Sequence, residues 1–306
     1  MSLDTAAAVA TLRGLTAKFD QGVQTATPFY PELATIVPSR GRDEQYGILG
    51  SMPAVREWLG PRQFNTLRAG KFTIENKEWE NSLEIEKNDI DDDRLGMYGP
   101  VLADMGAEAS HHPDELLFSL IEAGESTASF DGQFFYDTDH SWGDSGTQSN
   151  DLTYNAVDPN AVTEAEFRAA YHAARKAMLE FKRDNGKSYI RPTIRPLPNL
   201  ILLVPTALEE VANLAINKTL VSSGETNIVL DKPTIVTSGS LTSAVKFHLF
   251  NVGGRLKPFV FQARRPLSRQ MKGLDDHEFK DVKFMTDARY NMGYLAWWSS
   301  VLTTFV

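Results

Sequence analysis

The chain has 306 residues, enough for one large core or two smaller ones, with the 42% hydrophobic and 23% charged content of an ordinary folded protein. It has no cysteine, which excludes disulfide staples, thiolate metal sites and a cysteine nucleophile; its formal charge of −9 argues against tight nucleic-acid binding. No run of about 18 apolar residues offers a membrane span, and no basic start followed by an apolar core marks a secretory signal.

An Ala-rich amphipathic stretch carrying Leu12, Leu15 and Phe19 comes first, and Pro28, Pro31 and Pro38 then favour an extended path. This opening reads as an arm that lies along something. Ile48, Leu49, Met52, Val55, Trp58 and Leu59 form an apolar set that Gly60-Pro61 stops. Residues 71–95 are the most informative. Two runs alternate apolar and polar residues, with Phe72 and Ile74 on one arm and Trp79, Leu83 and Ile85 on the other. Period-two alternation gives a strand one apolar face. With Asn76-Lys77-Glu78 as its turn, the pair predicts a hairpin over 71–87. An isolated hairpin is marginal in water, so this one needs a surface, expected on a neighbouring subunit.

The acidic run Asp89, Asp91, Asp92, Asp93 follows, and Asp92 or Asp93 is placed to cap a helix. Leu95, Tyr98, Leu102, Met105 and Ala109 form its stripe, with Pro100 either in a first turn or at a kink. A second helix is expected from Pro113 to Glu122, with Asp114 and Glu115 in its first turn and Gly124 just beyond. Residues 126–160 read as loop. Thr163 and Glu166 form a capping box for a helix carrying Phe167, Tyr171, Ala174, Met178 and Phe181. A buried strand, Leu200–Val204, leads to a second capping box at Thr206 and Glu209 and a helix through Ile216. From Ile228 onward β-like runs dominate, ending on Trp297 and Trp298, one for the core and Trp298 as a contact anchor. The order predicts an α+β fold with mixed sheets.

Acids outnumber bases between Lys71 and Arg94, and bases outnumber acids between Arg255 and Arg289. The two segments are expected either to be solvated faces or to meet, within or between subunits. Asp137, Asp139 and His140 resemble a metal or acid/base cluster, but nothing nearby completes a ligand set, so a loop cluster satisfying its own backbone is the expectation. His111, His112, Asp114 and Glu115 read as a helix junction, and Asp89–Asp93 lacks the glycine and spacing of a calcium loop. No nucleophile elbow, phosphate loop or dinucleotide fingerprint occurs.

YGILGSMPAVREWLGPRQFNTL, FTIENKEWENSLEIEKNDIDDDRLGMYGP, HPDELLFSLIEAGE and FDGQFFYDTDH run in order through roughly residues 46–140. Together they resemble the Mu-like phage major head subunit (gpT) family, and the likeness continues more loosely through NLILLVPTALEEVAN and TDARYNMGYLAWW. The resemblance implies the tailed-phage major capsid fold of the Hong Kong 97 type. It places an N-terminal arm at 1–60, an extended E-loop hairpin at 61–92 and a peripheral domain with its spine helix at 93–154. An axial domain would occupy 155–245, and 246–306 would return to the peripheral domain.

The function so implied is a head protein that self-assembles into hexamers and pentamers of an icosahedral shell around double-stranded DNA. It would bind no DNA sequence, membrane, metal or cofactor, and it would not be an enzyme. Scaffold, portal and decoration proteins are the implied partners, and the virion, after the host bacterial cytoplasm, the implied location. Non-covalent assembly is expected. Candidate inter-subunit contacts are Phe72, Ile74, Trp79, Glu80, Leu83, Glu84, Ile85 and Glu86 on the hairpin, with Arg264, Arg265, Lys280, Lys283, Arg289 and Trp298. The alternatives are a metal-dependent hydrolase using Asp137, Asp139 and His140, and a phage tail or baseplate component.

Overall fold

The alternating run at 77–86 does find a surface, and its own chain supplies it. The computed structural model describes residues 5–49, 69–91, 94–190, 197, 199–220, 226–272 and 281–306. Helix α1 (Thr5–Thr25) leads through α2 (Tyr30–Leu33) to β1 (Ala34–Pro38), β2 (Asp43–Leu49), β3 (Ala69–Glu75) and β4 (Lys77–Glu86). After α3 (Lys87–Asp91) and a 3₁₀ turn comes α4 (Tyr98–Glu122), then β5 (Asp151–Tyr154) and α5 (Glu164–Glu180). The chain continues with β6 (Leu200–Pro205), α6 (Glu209–Asn217), β7 (Thr234–Ser238), β8 (Lys246–Asn251), β9 (Phe259–Lys272), β10 (Asp281–Tyr294) and β11 (Ser300–Phe305). The expected α+β architecture is what forms.

There are two main sheets. One has the order β1-β9-β10-β4; the other runs β5-β11-β8-β6-β7; β2 and β3 form a separate two-stranded ribbon. Every residue of β6 is buried, as its unbroken apolar run requires when both sheet faces are covered. β10 instead alternates: Val282, Phe284, Thr286, Ala288 and Tyr290 face inward. Against that inner face lie α4 and α1, and Leu15, Phe19, Leu102, Met105, Ile85, Val282 and Phe284 form one buried cluster. The two helices approach at backbone contact. A Cβ on Gly22 would come within 1.9 Å of the Ala103 carbonyl oxygen, and one on Gly106 within 2.2 Å of that of Phe19. The N-terminal segment is therefore packed onto the body along α1.

Strand pairing corrects the predicted 71–87 hairpin. β3 pairs antiparallel with β2, while β4 pairs antiparallel with β10, so the two alternating runs do not pair with each other. Asn76 joins them nearly end to end rather than turning the chain back. Its side-chain amide donates to Ser39 Oγ at 2.8 Å and to the Gly41 carbonyl at 3.0 Å, which holds this corner.

The two helices expected around 95–122 are one 25-residue helix with Pro113 inside it. An interior proline costs about 3 kcal/mol, and burial of Leu102, Met105, Leu117 and Ile121 along the shared face offsets it. Asp114, read as a first-turn residue, instead accepts from the Phe29 and Tyr30 amides at 2.9 and 2.6 Å and so caps α2. Pro100 sits in the first turn of α4. The Thr163–Glu166 capping box forms; the Thr206–Glu209 box does not, because Thr206–Leu208 is a 3₁₀ turn and α6 begins at Glu209 without a side-chain cap. Strands from 246–306 divide between the sheets, β8 and β11 joining the five-stranded one and β9 and β10 the four-stranded one. The capping role of Asp92 or Asp93 and the set Met52, Val55, Trp58 and Leu59 lie outside the described residues.

Candidate assembly surface

The β2–β3 ribbon leaves the body from a fixed root. Tyr46 donates its hydroxyl to Gln262 Oε1 at 2.9 Å, and the buried Gln262 amide donates to the Ile74 carbonyl at 3.2 Å. Asn291 donates to the Glu75 carbonyl at 2.8 Å. Glu44 accepts from the amides of Arg40 and Gly41 and from Ser39 Oγ, and those amide bonds hold its carboxyl below the ordinary range. Tyr46 and Phe72 stack at 5.2 Å on the ribbon itself. Across the ribbon, Arg42 and Glu75 pair at 2.8 Å.

The candidate contact residues divide by face. Ile74 and Ile85 are buried within the chain, Leu83 packs against the α1–α4 cluster, and Phe72 is half-buried on the ribbon. Trp79 packs on His112 at 4.3 Å and donates its indole N–H to the Tyr290 carbonyl at 3.0 Å. The surface expected on a neighbour is thus β10 and α4 of the same chain. On the opposite face of the sheet, Glu84 stands directly across from Lys283 and Glu78 across from Arg289, with ion pairs of 2.9 and 3.8 Å. The hydrogen bond to Glu84 raises the Lys283 ammonium above its ordinary value. Arg265 pairs with Asp287 at 2.7 Å, and Arg264 donates to the Ser39 carbonyl. The acidic and basic segments therefore meet inside one subunit. Glu80 and Glu86 are exposed; Trp298 is half-buried, stacked on Tyr189 at 4.3 Å. Lys280 lies outside the described residues.

The cluster at 137–140 is a structural knot. His140 is fully buried, with Nδ1 2.7 Å from Asp131 Oδ2, Nε2 3.1 Å from Asn150 Oδ1, and its ring stacked 3.9 Å from Trp297. Asn150 also donates to the carbonyls of Phe135 and Trp297. Burial opposes ionisation of Asp137, but amide donors from Thr138 and Phe134 outweigh it and hold the carboxyl below its usual range. The His140 ring faces Asp131 and Asn150 and is not available to substrate. Among the described residues, no group of three or more His, Asp or Glu is placed to hold a metal ion. Sequence reading missed Asp131 and Asn150, whose spacing from His140 follows no local period.

Residues 226–231 are held by side chains of α5 and by their own contacts to α6. Tyr171 donates its hydroxyl to the Leu230 and Asp231 carbonyls, and Arg175 pairs with Asp231 at 2.6 Å. Asn227 donates to the carbonyls of Ala215 and Lys218, both at 2.9 Å. With its backbone so pinned, this segment holds Ile228 and Leu230 out at 72% and 52% exposure. Apolar side chains on a backbone already held in place give up little conformational freedom when a partner covers them.

The sequence matches the family model described as the Mu-like prophage major head subunit gpT over residues 9–167 and 160–241. The chain belongs to this family. It is 38% identical over 154 residues to the Mu-like prophage FluMu major head subunit of Haemophilus influenzae, a match covering 50% of each chain. It is also 38% identical over 122 residues to the major capsid protein of Escherichia phage Mu, covering 40% of each. The chain thus spans about half or less of the length of these relatives.

The capsid of bacteriophage JBD30 decorated with minor capsid protein trimers is a structural neighbour at TM-score 0.57 and 25% identity, over 71% of this chain and 92% of that one. The capsid of cyanophage P-SCSP1u aligns at TM-score 0.62 and 13% identity, over 92% and 89%. The fold of this gpT-family chain is that of the tailed-phage capsid proteins, the Hong Kong 97 type that the resemblance implied.

Proposed function

We propose that the chain is the shell subunit of a Mu-like phage head, assembling into hexamers and pentamers of an icosahedral particle around double-stranded DNA. The observation that carries this reading is the pinned loop that presents Ile228 and Leu230 to solvent. An apolar pair held rigid and uncovered is a cost to an isolated subunit and a contact in an assembly. Repetition of such contacts over a closed shell makes weak pairs sufficient. The acidic balance also suits a container whose wall must not hold packed DNA tightly.

In this reading the β2–β3 ribbon is the E-loop, moved forward to 43–75 from the 61–92 first assigned. The long helix α4 is the spine, and the five-stranded sheet with α5 and α6 is the axial domain. The reading makes the subunit a structural protein rather than an enzyme: His140 is taken up by Asp131 and Asn150, and Asp137 by the Phe134 and Thr138 amides. Scaffold and portal proteins, and trimers like those decorating the JBD30 capsid, are its further partners. It assembles in the host cytoplasm and ends in the virion, without covalent cross-links.

Electron microscopy after a jump in concentration or salt tests the reading. Closed shells or capsomers are expected, and Ile228→Asp with Leu230→Asp should give folded, soluble protein that no longer forms them. Tubes or single rings would point to a tail component. A wild-type chain that stays monomeric under every condition would refute the proposal.

A further inference from the structure

Between α4 and the inner face of the four-stranded sheet lies an open cavity of about 230 Å³, its mouth at the edge strand β4. Three aromatic rings form it. Trp79, His112 and Tyr290 are fixed to each other, the indole by its bond to the Tyr290 carbonyl and the imidazole by 2.7 Å contact with the Tyr290 hydroxyl. Leu267 adds an apolar wall. Two further groups are acceptors. Glu108 is exposed on α4 at the rim. Glu80, exposed on β4, is the second lining carboxylate.

The lining thus offers aromatic faces and two carboxylates, and it contains no lysine or arginine. Such a site wants a cation with several donors on an apolar stem. Arginine meets each demand: its guanidinium is planar, always charged, rich in donors and stacks on aromatic rings. The volume decides the scale of the ligand. Sites for drug-sized molecules begin near 300 Å³, so this cavity suits one long side chain rather than a cofactor.

We propose that this cavity takes the arginine side chain of a second copy of the chain. The choice of a second copy rests on the shell reading above and on charge: the cavity lining holds two carboxylates and no lysine or arginine, and the chain presents exposed arginines such as Arg255 at the β8–β9 turn. The contact would act as a key between subunits, setting register through a desolvated charge.

The test uses the full-length soluble subunit and two probes, N-acetylarginine methylamide and its neutral isostere N-acetylcitrulline methylamide. The indole N–H signal of Trp79, identified by its loss in Trp79→Phe, should shift saturably with the arginine probe and not with the citrulline probe. Glu108→Gln should weaken the response and Ala109→Leu, which fills the cavity, should abolish it. Both variants should then form shells roughly tenfold more slowly than wild type, with unchanged circular dichroism and melting temperature.

Equal response to the two probes, or none to either, would overturn the cavity as a cation site. Wild-type assembly rates in Ala109→Leu, or a response to spermidine alone, would overturn the second copy as its source. The probe titration reads the soluble subunit, so failure to form shells would count against the proposed function without touching the cavity.

Discussion

The two main sheets are made from different sequence patterns and meet solvent differently. In the five-stranded sheet β6 is buried along its whole length and β8 along its four central residues, so the sheet itself is covered on both faces, while the nearby Ile228 and Leu230 stay exposed. In the four-stranded sheet β10 buries alternate residues; one face is covered by α1 and α4, and the other carries ion pairs such as Glu84–Lys283 and Arg265–Asp287. The first half stands on continuous hydrophobic burial. The second stands on a single apolar face and leaves a polar face and an edge strand free for neighbours.

The sharpest way to break this contrast is the buried knot behind the five-stranded sheet. Asp131→Ala leaves the buried His140 ring without the hydrogen-bond partner of its Nδ1, and a loss of about 1–3 kcal/mol is expected by urea unfolding. A loss under half of that would mean the loop repacks and that this half is less closed than described. Trp79→Ala probes the other sheet. Because the indole packs on His112 and Tyr290 of its own chain, it should cost about 2–4 kcal/mol in the unassembled subunit. Unchanged monomer stability with impaired shells would return Trp79 to an inter-subunit role.

A pH titration separates the halves more finely. Burial lowers the His248 pKa from 6.5 to about 3 on β8. The unfolded chain therefore binds a proton between those values that the folded chain does not. The associated stability is complete above pH 6.5 and is lost as pH falls toward 3. Between pH 7 and pH 5 wild type should lose about 2 kcal/mol more than His248→Gln. Parallel stability curves would show that the ring titrates normally. The smallest effect is expected on the polar face. Glu84→Lys should perturb the subunit little, and the swap Glu84→Lys with Lys283→Glu should restore any loss of assembly. Failure of the swap to restore assembly would assign Glu84 to a neighbour's base instead.

Much of the local structure was legible in the residues. The Thr163–Glu166 box, the buried strand from Leu200 and the alternation at Trp79, Leu83 and Ile85 each carry a short-range cause, and each appears where the pattern puts it. The α+β class followed from their order. Local chemistry misled where a longer-range contact overrode it. Pro113 reads as a helix start, yet the packed face of α4 carries the helix through it. Asp114 reads as a first-turn acid, yet it caps α2 from 84 residues away. The site was less legible still. Ile228 and Leu230 look like a short strand, and only the bonds from Tyr171, Arg175 and Asn227 turn them into an exposed pair.

By itself the sequence determined which segments alternate, where a helix can be capped, and that no thiol, phosphate loop or dinucleotide fingerprint occurs, because each of these depends on neighbours within a few residues. Only the tertiary structure decided what the alternating run at 77–86 lies against. Its partner β10 is about two hundred residues away, as the Trp79–Tyr290 bond spans 211 positions, and period-two alternation fixes a strand's apolar face without naming the strand beside it. The apolar face expected to require another subunit is covered from within, and the surfaces proposed for assembly are instead the ribbon, the pinned loop and the cavity beside Trp79.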